Sequence, residues 1–344
     1  MAGCAWSVPR TMSHKLTPEE AVEDFNRERK NSVSHSTWRN YQYPLNQFTA
    51  FCEERELEYI GEVSGYDLKK FKLHRQEAGI KKVTLKNNLS TMRVFFRWCA
   101  QAGLVDPELP EMIQLPSLSS NDTVSDEVLE QERVESILNY LYKFEYGTLR
   151  HCLFHFMWHT GVRMGTLRAI DLGDYYDGQE YVELHHRPET GTPLKNGYEG
   201  EREVSINEEV AEVLDDYISV HRNPLTESSG RKPLFTAEKR ISKTTIRKNL
   251  YAVTRPCHIS DNCPHDREIE NCEATTYSEA GGCPSSMSPH PLRRASISYH
   301  LNREWPKEKV SERANVSVEV LDKHYDARKE SAKRRVRKQY VDNL

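Results

Sequence analysis

The sequence lacks any long hydrophobic run and has the opening of neither a secreted nor a membrane protein. No apolar stretch approaches the roughly 18 residues that a membrane helix needs, and the dense run from Leu153 to Trp158 is interrupted by His155. The first ten residues have neither a basic start nor an apolar segment of the signal-peptide kind. These absences predict a cytoplasmic protein with no membrane partner.

The chain also lacks an overall positive charge. Its formal net charge is −4 and its isoelectric point is about 6.4, so charge alone does not mark it as a nucleic-acid binder. The charges are unevenly distributed, however. Residues 122–135 hold six acidic side chains against Arg133, and residues 328–338 hold seven basic ones against Glu330. Any polyanion would therefore have to bind local basic faces.

The 344 residues, 37% hydrophobic and 29% charged, predict two domains. Residues 1–14 carry no periodicity and are predicted to be disordered. Residues 15–105 read as a helical domain, with helices after Thr17, after Ser34 or Ser36, over 67–76 and from about 84 to 99. Aromatic residues recur there at spacings of three and four, as core positions do. A segment rich in proline and serine, 106–124, reads as a linker.

The second predicted domain, 125–344, begins and ends with helices around a small sheet. Residues 174–184 and 192–206 alternate apolar and polar side chains between turn residues, which predicts three short strands. Residues 208–222 and most of the chain beyond Pro289 have helical periodicity. The expected fold class is mainly α with a small β-sheet.

Two arginines stand in contexts that suit binding of a phosphate. Arg163 follows Thr160-Gly161-Val162, where a glycine turn would place it at the start of a helix. Arg293 follows His290 by three residues, so the two share a helix face. A guanidinium keeps its charge and can bind two phosphate oxygens at once. The alternative is that Arg163 is an ordinary surface arginine.

Lys195, between two strand-like segments, and Tyr325, after a helical segment, complete a set of residues in a fixed order. The order Arg163, Lys195, His290, Arg293, Tyr325 resembles the tyrosine recombinase (phage integrase) family, and the resemblance covers most of the chain. It implies a helical SAM-like core-binding domain over residues 15–105 and a mixed α+β catalytic domain over 125–344.

The resemblance also implies a chemistry. Arg163, His290 and Arg293 would surround a DNA phosphate, Lys195 would protonate the leaving 5′ oxygen, and Tyr325 would form a 3′-phosphotyrosine. No cofactor is implied for catalysis. The expected function is site-specific recombination of double-stranded DNA by a homotetramer on paired sites. Helix residues that could touch phosphates are Arg39, Lys86 and Arg93.

Two positions depart from the family pattern. Thr166 stands where an acidic residue usually follows the first arginine, and residues 313–316 contain no histidine or tryptophan before the nucleophile. Arg313 or His324 could supply the missing donor. Two other functions therefore stay open, a type IB topoisomerase-like enzyme and a non-catalytic, zinc-bearing DNA-binding protein.

Four cysteines crowd into 27 residues. Cys257, Cys263, Cys272 and Cys283, with His258 and His265 among them, lie in a segment rich in proline, glycine and asparagine that cannot form much core. A structural zinc ion held by the four thiolates would organise this segment. Disulfides and unliganded thiols are the alternatives, since no Cys-x-x-Cys pair is present. Insertions of this kind resemble those of archaeal-type integrases.

Overall fold

The computed structural model describes residues 15–119, 122 and 129–325. The chain forms two compact units, residues 1–125 and 126–344. The predicted disorder of residues 1–14 and the basic run 328–338 both lie outside the described residues. Among those described, no helix is both long and apolar enough to cross a bilayer.

The first unit contains four long helices, and the first three begin at a capping side chain. They are α1 (Pro18–Ser32), α2 (His35–Glu54), α3 (Gly65–Glu77) and α4 (Lys82–Gln101). The predicted capping box of α1 is present, because the Glu20 amide donates to Thr17 Oγ1 at 3.2 Å and the Thr17 amide donates to Glu20 Oε2 at 2.9 Å. The side chain of Ser34 caps α2. The predicted helices are confirmed.

Aromatic side chains form the core of this unit. Phe25, Phe48 and Phe95 are fully buried, and Phe95 meets both of the others edge to face. The packing continues past residue 105. Leu109 and Ile113 are buried, and Arg93 donates a hydrogen bond to the Ile113 carbonyl. The segment predicted as a linker therefore begins with residues that pack against this unit, and the exact domain boundaries stay a prediction.

The second unit is helical around a small antiparallel sheet, which confirms the predicted fold class. Its strands β1 (Tyr175–Tyr176), β2 (Tyr181–Leu184) and β3 (Arg202–Ser205) are ordered β1-β2-β3, with Val182 opposite both Tyr175 and Val204. Its helices are α5 (Gln131–Phe144), α6 (Leu149–Thr160), α7 (Met164–Ala169), α8 (Glu208–Asp216), α9 (Lys243–Thr254), α10 (Pro256–Ile259), α11 (Pro289–Asn302), α12 (Lys307–Ala314) and α13 (Val318–His324).

Helix α6 is the centre of this unit, because α5, α8, α9 and α11 all pack against it. A second, smaller core joins α11, α12 and α13. Its members are Ile297, Leu301, Val310, Ala314, Val316, Leu321 and Tyr325. The C-terminal part of the described chain is therefore fixed to α11 by its own apolar contacts.

Buried ion pairs anchor the connection that leaves β2. Asp171 accepts hydrogen bonds from Arg231 and Arg240, each at 2.7 Å, and Arg231 also donates to the hydroxyls of Thr190 and Thr192. Carboxylates neutralise these arginines, as buried guanidinium groups require. The base of the β2–β3 connection is thereby fixed to the body of the unit.

Three histidines one helical turn apart, His151, His155 and His159, make the stability of this unit depend on pH. Burial lowers the pKa of His151 and His155 to about 4 and that of His159 to about 3. The unfolded chain, with histidine pKa values near 6.5, therefore binds protons that the folded chain does not.

Stability should consequently be constant above about pH 7 and fall as the pH drops from about 6.5 towards 4. The expected slope is about 1.4 kcal/mol per pH unit for each histidine. Urea unfolding followed by circular dichroism between pH 5 and pH 8 measures it. The His151→Gln variant, with one such group fewer, should show a shallower slope, and a wild-type stability that is flat from pH 7 to pH 5 contradicts the prediction.

Candidate active site

The turn between α6 and α7 positions Arg163. Gly161 ends α6 with φ +62°, a left-handed conformation that glycine adopts without strain. A Cβ at Gly161 would lie 3.2 Å from Ser296 Oγ on α11, so the turn packs directly against that helix. Arg163 then stands at the N-cap of α7, as predicted. Burial lowers its pKa, and an electrostatic interaction with Tyr325 opposes this shift.

Arg293 on α11 is almost completely buried, with 3% of its surface exposed. Its guanidinium donates to the carbonyl of Gly161 and, at 2.9 Å, to that of Ala314. It thus joins the turn before Arg163 to the end of α12. Burial, followed by the charge of Arg163, lowers the pKa of Arg293 to about 10, although Tyr325 acts in the opposite direction through an electrostatic interaction and a hydrogen bond. Arg163, Arg293 and Tyr325 are therefore neighbours.

His290 lies one helical turn before Arg293 and at the surface of the unit. Partial burial of its imidazole lowers its pKa, and the positive charges of Arg293, Arg294, Arg163 and Lys195 lower it further. The ring is consequently neutral at pH 7, when one ring nitrogen can accept a proton and the other can donate one. The structure thus brings His290 beside both predicted arginines and within the electrostatic reach of Lys195.

Tyr325 directly follows α13, and 8% of it is exposed. Its amide donates to the Leu321 carbonyl at 2.9 Å, and its own carbonyl accepts from Ser298 Oγ on α11 at 3.1 Å. Tyr299 and Tyr340 are the alternative nucleophiles in this part of the sequence. Tyr299 packs against Trp158 at 5.0 Å between ring centres, and Tyr340 lies outside the described residues.

Lys195 stands on the loop between β2 and β3, as the alternation predicted. We call residues 193–200 the lysine loop. Leu194, which belongs to this loop, is buried, and its backbone amide donates to His186 Nδ1 at 3.0 Å. Lys195 itself is exposed.

Arg202 on β3 is a site residue that the sequence reasoning missed. Its Nε donates to the Arg313 carbonyl at 2.9 Å and its Nη1 to the Gly200 carbonyl at 2.8 Å. Burial, followed by the charges of Arg293, Arg163 and Arg313, lowers its pKa to about 10. The sequence did contain an indication that Arg202 faces the interior, because Arg202 shares a strand face with the buried Val204.

The two candidates for the missing donor occupy other positions. The guanidinium of Arg313 donates to the carbonyls of Ser205 at 2.8 Å and His159 at 3.1 Å and lies over the ring of Trp305, so its role is structural. His324 is partly exposed, and partial burial, followed by the charges of Lys323 and Arg294, lowers its pKa. Val316, in the segment where the donor was expected, is buried in the small core.

The arginines of the site have no acidic partner in the part of the chain that the structure describes. Across the described ranges, no carboxylate forms an ion pair with Arg163, Arg202, Arg293 or Arg313. Thr166, three positions after Arg163, is buried and carries no charge. Clustered guanidinium groups that repel each other are costly to bury without a counter-charge. Such a site is suited to an anion that brings several oxygens, as a phosphodiester does.

The predicted four-cysteine zinc site is not formed. Cys257, Cys263, Cys272 and Cys283 are free thiols. Within residues 15–119, 122 and 129–325, no three histidine, cysteine or acidic side chains are placed to share a metal ion. The segment is tied down by other groups instead. His265 pairs with Ser285 at 2.9 Å, and His258 pairs with Glu145 at 2.8 Å, so both candidate substitute ligands are engaged in hydrogen bonds.

Two family models match the chain. The model described as "Phage integrase, N-terminal SAM-like domain" matches residues 26–103, and the one described as "Phage integrase family" matches residues 127–325. The chain therefore belongs to the phage integrase family, the tyrosine recombinases. It is accordingly a DNA strand breaking and rejoining enzyme of site-specific recombination, and this chemistry needs no cofactor.

Individual relatives are distant. Tyrosine recombinase XerC of Syntrophus aciditrophicus (strain SB) is 21% identical over 301 residues, which are 82% of this chain and 84% of the relative. The fold resembles that of the Tn1549 transposon integrase in complex with a circular intermediate DNA, with a TM-score of 0.68, 16% identity and coverage of 94% and 99% of the two chains. For a lambda integrase dimer bound to a COC′ core site, the TM-score is 0.59, the identity 12% and the coverage 88% and 75%.

Proposed function

We propose that this protein cuts and rejoins double-stranded DNA at specific sites through Tyr325, with Arg163 and Arg293 binding the scissile phosphate. The observation that carries the proposal is a cluster of arginines that has no carboxylate partner among the described residues and lies beside a tyrosine. Negative charge grows on the non-bridging oxygens as phosphorus is attacked, and fixed guanidinium donors stabilise that charge. Arg202 adds a further positive charge to the same field.

The chemistry assigns a proton to each step. The Tyr325 oxygen bonds to phosphorus, and its proton passes to the neutral imidazole of His290. The bond between phosphorus and the 5′ oxygen breaks, and that oxygen takes a proton from the Lys195 ammonium. A 3′-phosphotyrosine and a free 5′ hydroxyl result. Rejoining reverses the steps when a 5′ hydroxyl attacks the phosphotyrosine, so the bond energy is conserved and no nucleotide cofactor is consumed.

The partner is double-stranded DNA. The integrases of similar fold named above are described in complexes with DNA. We propose that four copies act on two sites, that Arg39, Lys86 and Arg93 of the first unit contribute phosphate contacts, and that the protein works in the cytoplasm. Arg93 already donates to the Ile113 carbonyl, which makes Arg39 and Lys86 the more available cations.

A nicked duplex tests the proposed function. Target sites are first selected from random sequences by binding, and one strand is then nicked close to the scissile phosphate. The small freed fragment diffuses away, so the phosphotyrosine cannot be rejoined. We expect a protein–DNA adduct that survives denaturant. Site-specific binding without an adduct would favour the non-catalytic alternative, and relaxation of supercoiled plasmids that lack the site would favour the topoisomerase-like one.

A further inference from the structure

The tip of the lysine loop is held by the end of α12. Asn196, the neighbour of Lys195, donates from Nδ2 to Asn315 Oδ1 at 2.6 Å. Asn315 in turn donates from Nδ2 to the Glu199 carbonyl at 3.4 Å. One side chain therefore bonds to two points of the loop, on both sides of its turn at Gly197. The loop is already anchored at its base, and this bridge fixes the end that carries Lys195.

Asn315 can hold this position because of its backbone conformation. It ends α12 with φ +50°, in the left-handed region that asparagine tolerates better than most residues. The fit around it is close. A Cβ at Gly200 would lie 3.2 Å from Asn315 Nδ2 and 3.3 Å from Leu194. The amide is thus packed against the loop.

The end of α12 is also a junction for the arginines of the site. Residues 313 and 314 bond through their backbone carbonyls, and residue 315 bonds through its side-chain amide. Each of these groups bonds to a different part of the site. Arg202 donates to the carbonyl of Arg313, Arg293 donates to that of Ala314, and the Asn315 side chain meets the lysine loop. A shift at this junction would move the lysine relative to both arginines.

The same junction is joined to the nucleophile through the small core. Val316 follows Asn315 directly and packs in one apolar cluster with Leu321 and Tyr325. Val316 lies in the segment where the family pattern has a histidine or tryptophan that contacts the phosphate, and its side chain cannot donate a hydrogen bond. This segment therefore contributes to the site by holding the lysine loop and Tyr325 in place.

We propose that Asn315 is a positioning residue, which fixes the position of Lys195 relative to Tyr325 by bonding to the lysine loop. The inference rests on the proposed function, in which Lys195 protonates the leaving 5′ oxygen. Both asparagines retain access to solvent, so water can replace the bond at modest cost to folding. Its loss should act on proton delivery, because a displacement of about 1 Å can slow a reaction on the order of 100-fold.

A change of leaving group tests this proposal. Asn315→Gly removes the amide and keeps a residue that accepts positive φ. Cleavage of a nicked target duplex should slow by about 10- to 100-fold. When sulfur replaces the bridging 5′ oxygen, the leaving group is a thiolate with a pKa near 8.5, which departs without a proton. On that duplex, Asn315→Gly should cleave at nearly the wild-type rate.

Matched variants separate positioning from general damage. Asn196→Ala removes the other half of the bridge at a residue with ordinary negative φ, and it should show the same pattern of slowing and rescue. Glu180→Gly changes another residue with left-handed φ, on the turn between β1 and β2, and it should leave both rates unchanged. Arg163→Lys should be slow on both duplexes, because it impairs phosphate binding.

Lys195→Ala distinguishes failure of the inference from failure of the proposed function. If sulfur does not rescue Lys195→Ala, then the assignment of Lys195 as the proton donor is wrong. If sulfur rescues Lys195→Ala while Asn315→Gly and Asn196→Ala cleave ordinary DNA at the wild-type rate, or are slow on both duplexes, then Asn315 does not act through Lys195. Rescue of the asparagine variants without rescue of Lys195→Ala also overturns the inference, because the proton donor would be another group.

Discussion

Replacing Tyr325 with phenylalanine should abolish the covalent protein–DNA adduct, with a loss on the order of 10⁴-fold or more in cleavage. The substitution removes only the hydroxyl oxygen that attacks phosphorus. The ring remains in the small core with Leu301 and Leu321, so binding of the target duplex and the unfolding temperature should change little. The measurement is formation of denaturant-resistant adduct on a nicked duplex, followed by identification of the modified peptide.

Tyr299→Phe is the matched control, since Tyr299 lies on α11 near the same site but packs against Trp158. Its adduct yield should equal that of the wild type. An adduct that persists in Tyr325→Phe would move the nucleophile to another tyrosine, and Tyr340 would be tested next. Loss of both adduct and binding would mean that the variant is misfolded, which thermal unfolding would reveal.

Lysine in place of Arg163 or Arg293 should slow strand cleavage by about 10²- to 10³-fold. Lysine keeps the positive charge but cannot present two parallel donors to phosphate oxygens. Binding of the target duplex should weaken only a few-fold, because contacts to other phosphates supply most of the affinity. Single-turnover cleavage and equilibrium binding at one fixed salt concentration measure the two effects separately.

The two arginine variants should differ in stability. Arg293 also bonds to the carbonyls of Gly161 and Ala314, so its replacement should cost about 1–3 kcal/mol of folding free energy. The guanidinium of Arg163 is less buried and should tolerate the change better. Arg303→Lys, at an exposed position just after α11, is the control and should leave cleavage unaltered. Wild-type cleavage in both site variants would end the assignment of a phosphate clamp.

Local sequence was sufficient for the helices of the first unit, for the strands of the second and for the order of the principal site residues. Thr17 and Ser34 specify helix starts because a capping side chain bonds within three residues of itself. Gly161 specifies the turn before Arg163 by its own backbone freedom. The same local reasoning located Lys195 between strands and placed His290 and Arg293 on one helix face.

Only the tertiary structure decided which of the candidate side chains act together. Arg313 looked like a free donor in the sequence, yet carbonyls of Ser205 and His159, more than 100 residues away, occupy its guanidinium. The clustered cysteines looked like a metal site, but proximity along the chain did not bring their thiols together. Arg202 lies in the site, and Asn315 bonds to Asn196, because α12 lies against the sheet and the lysine loop. Periodicity and spacing carry information about local backbone geometry, whereas these contacts depend on how distant segments pack, which no local pattern encodes.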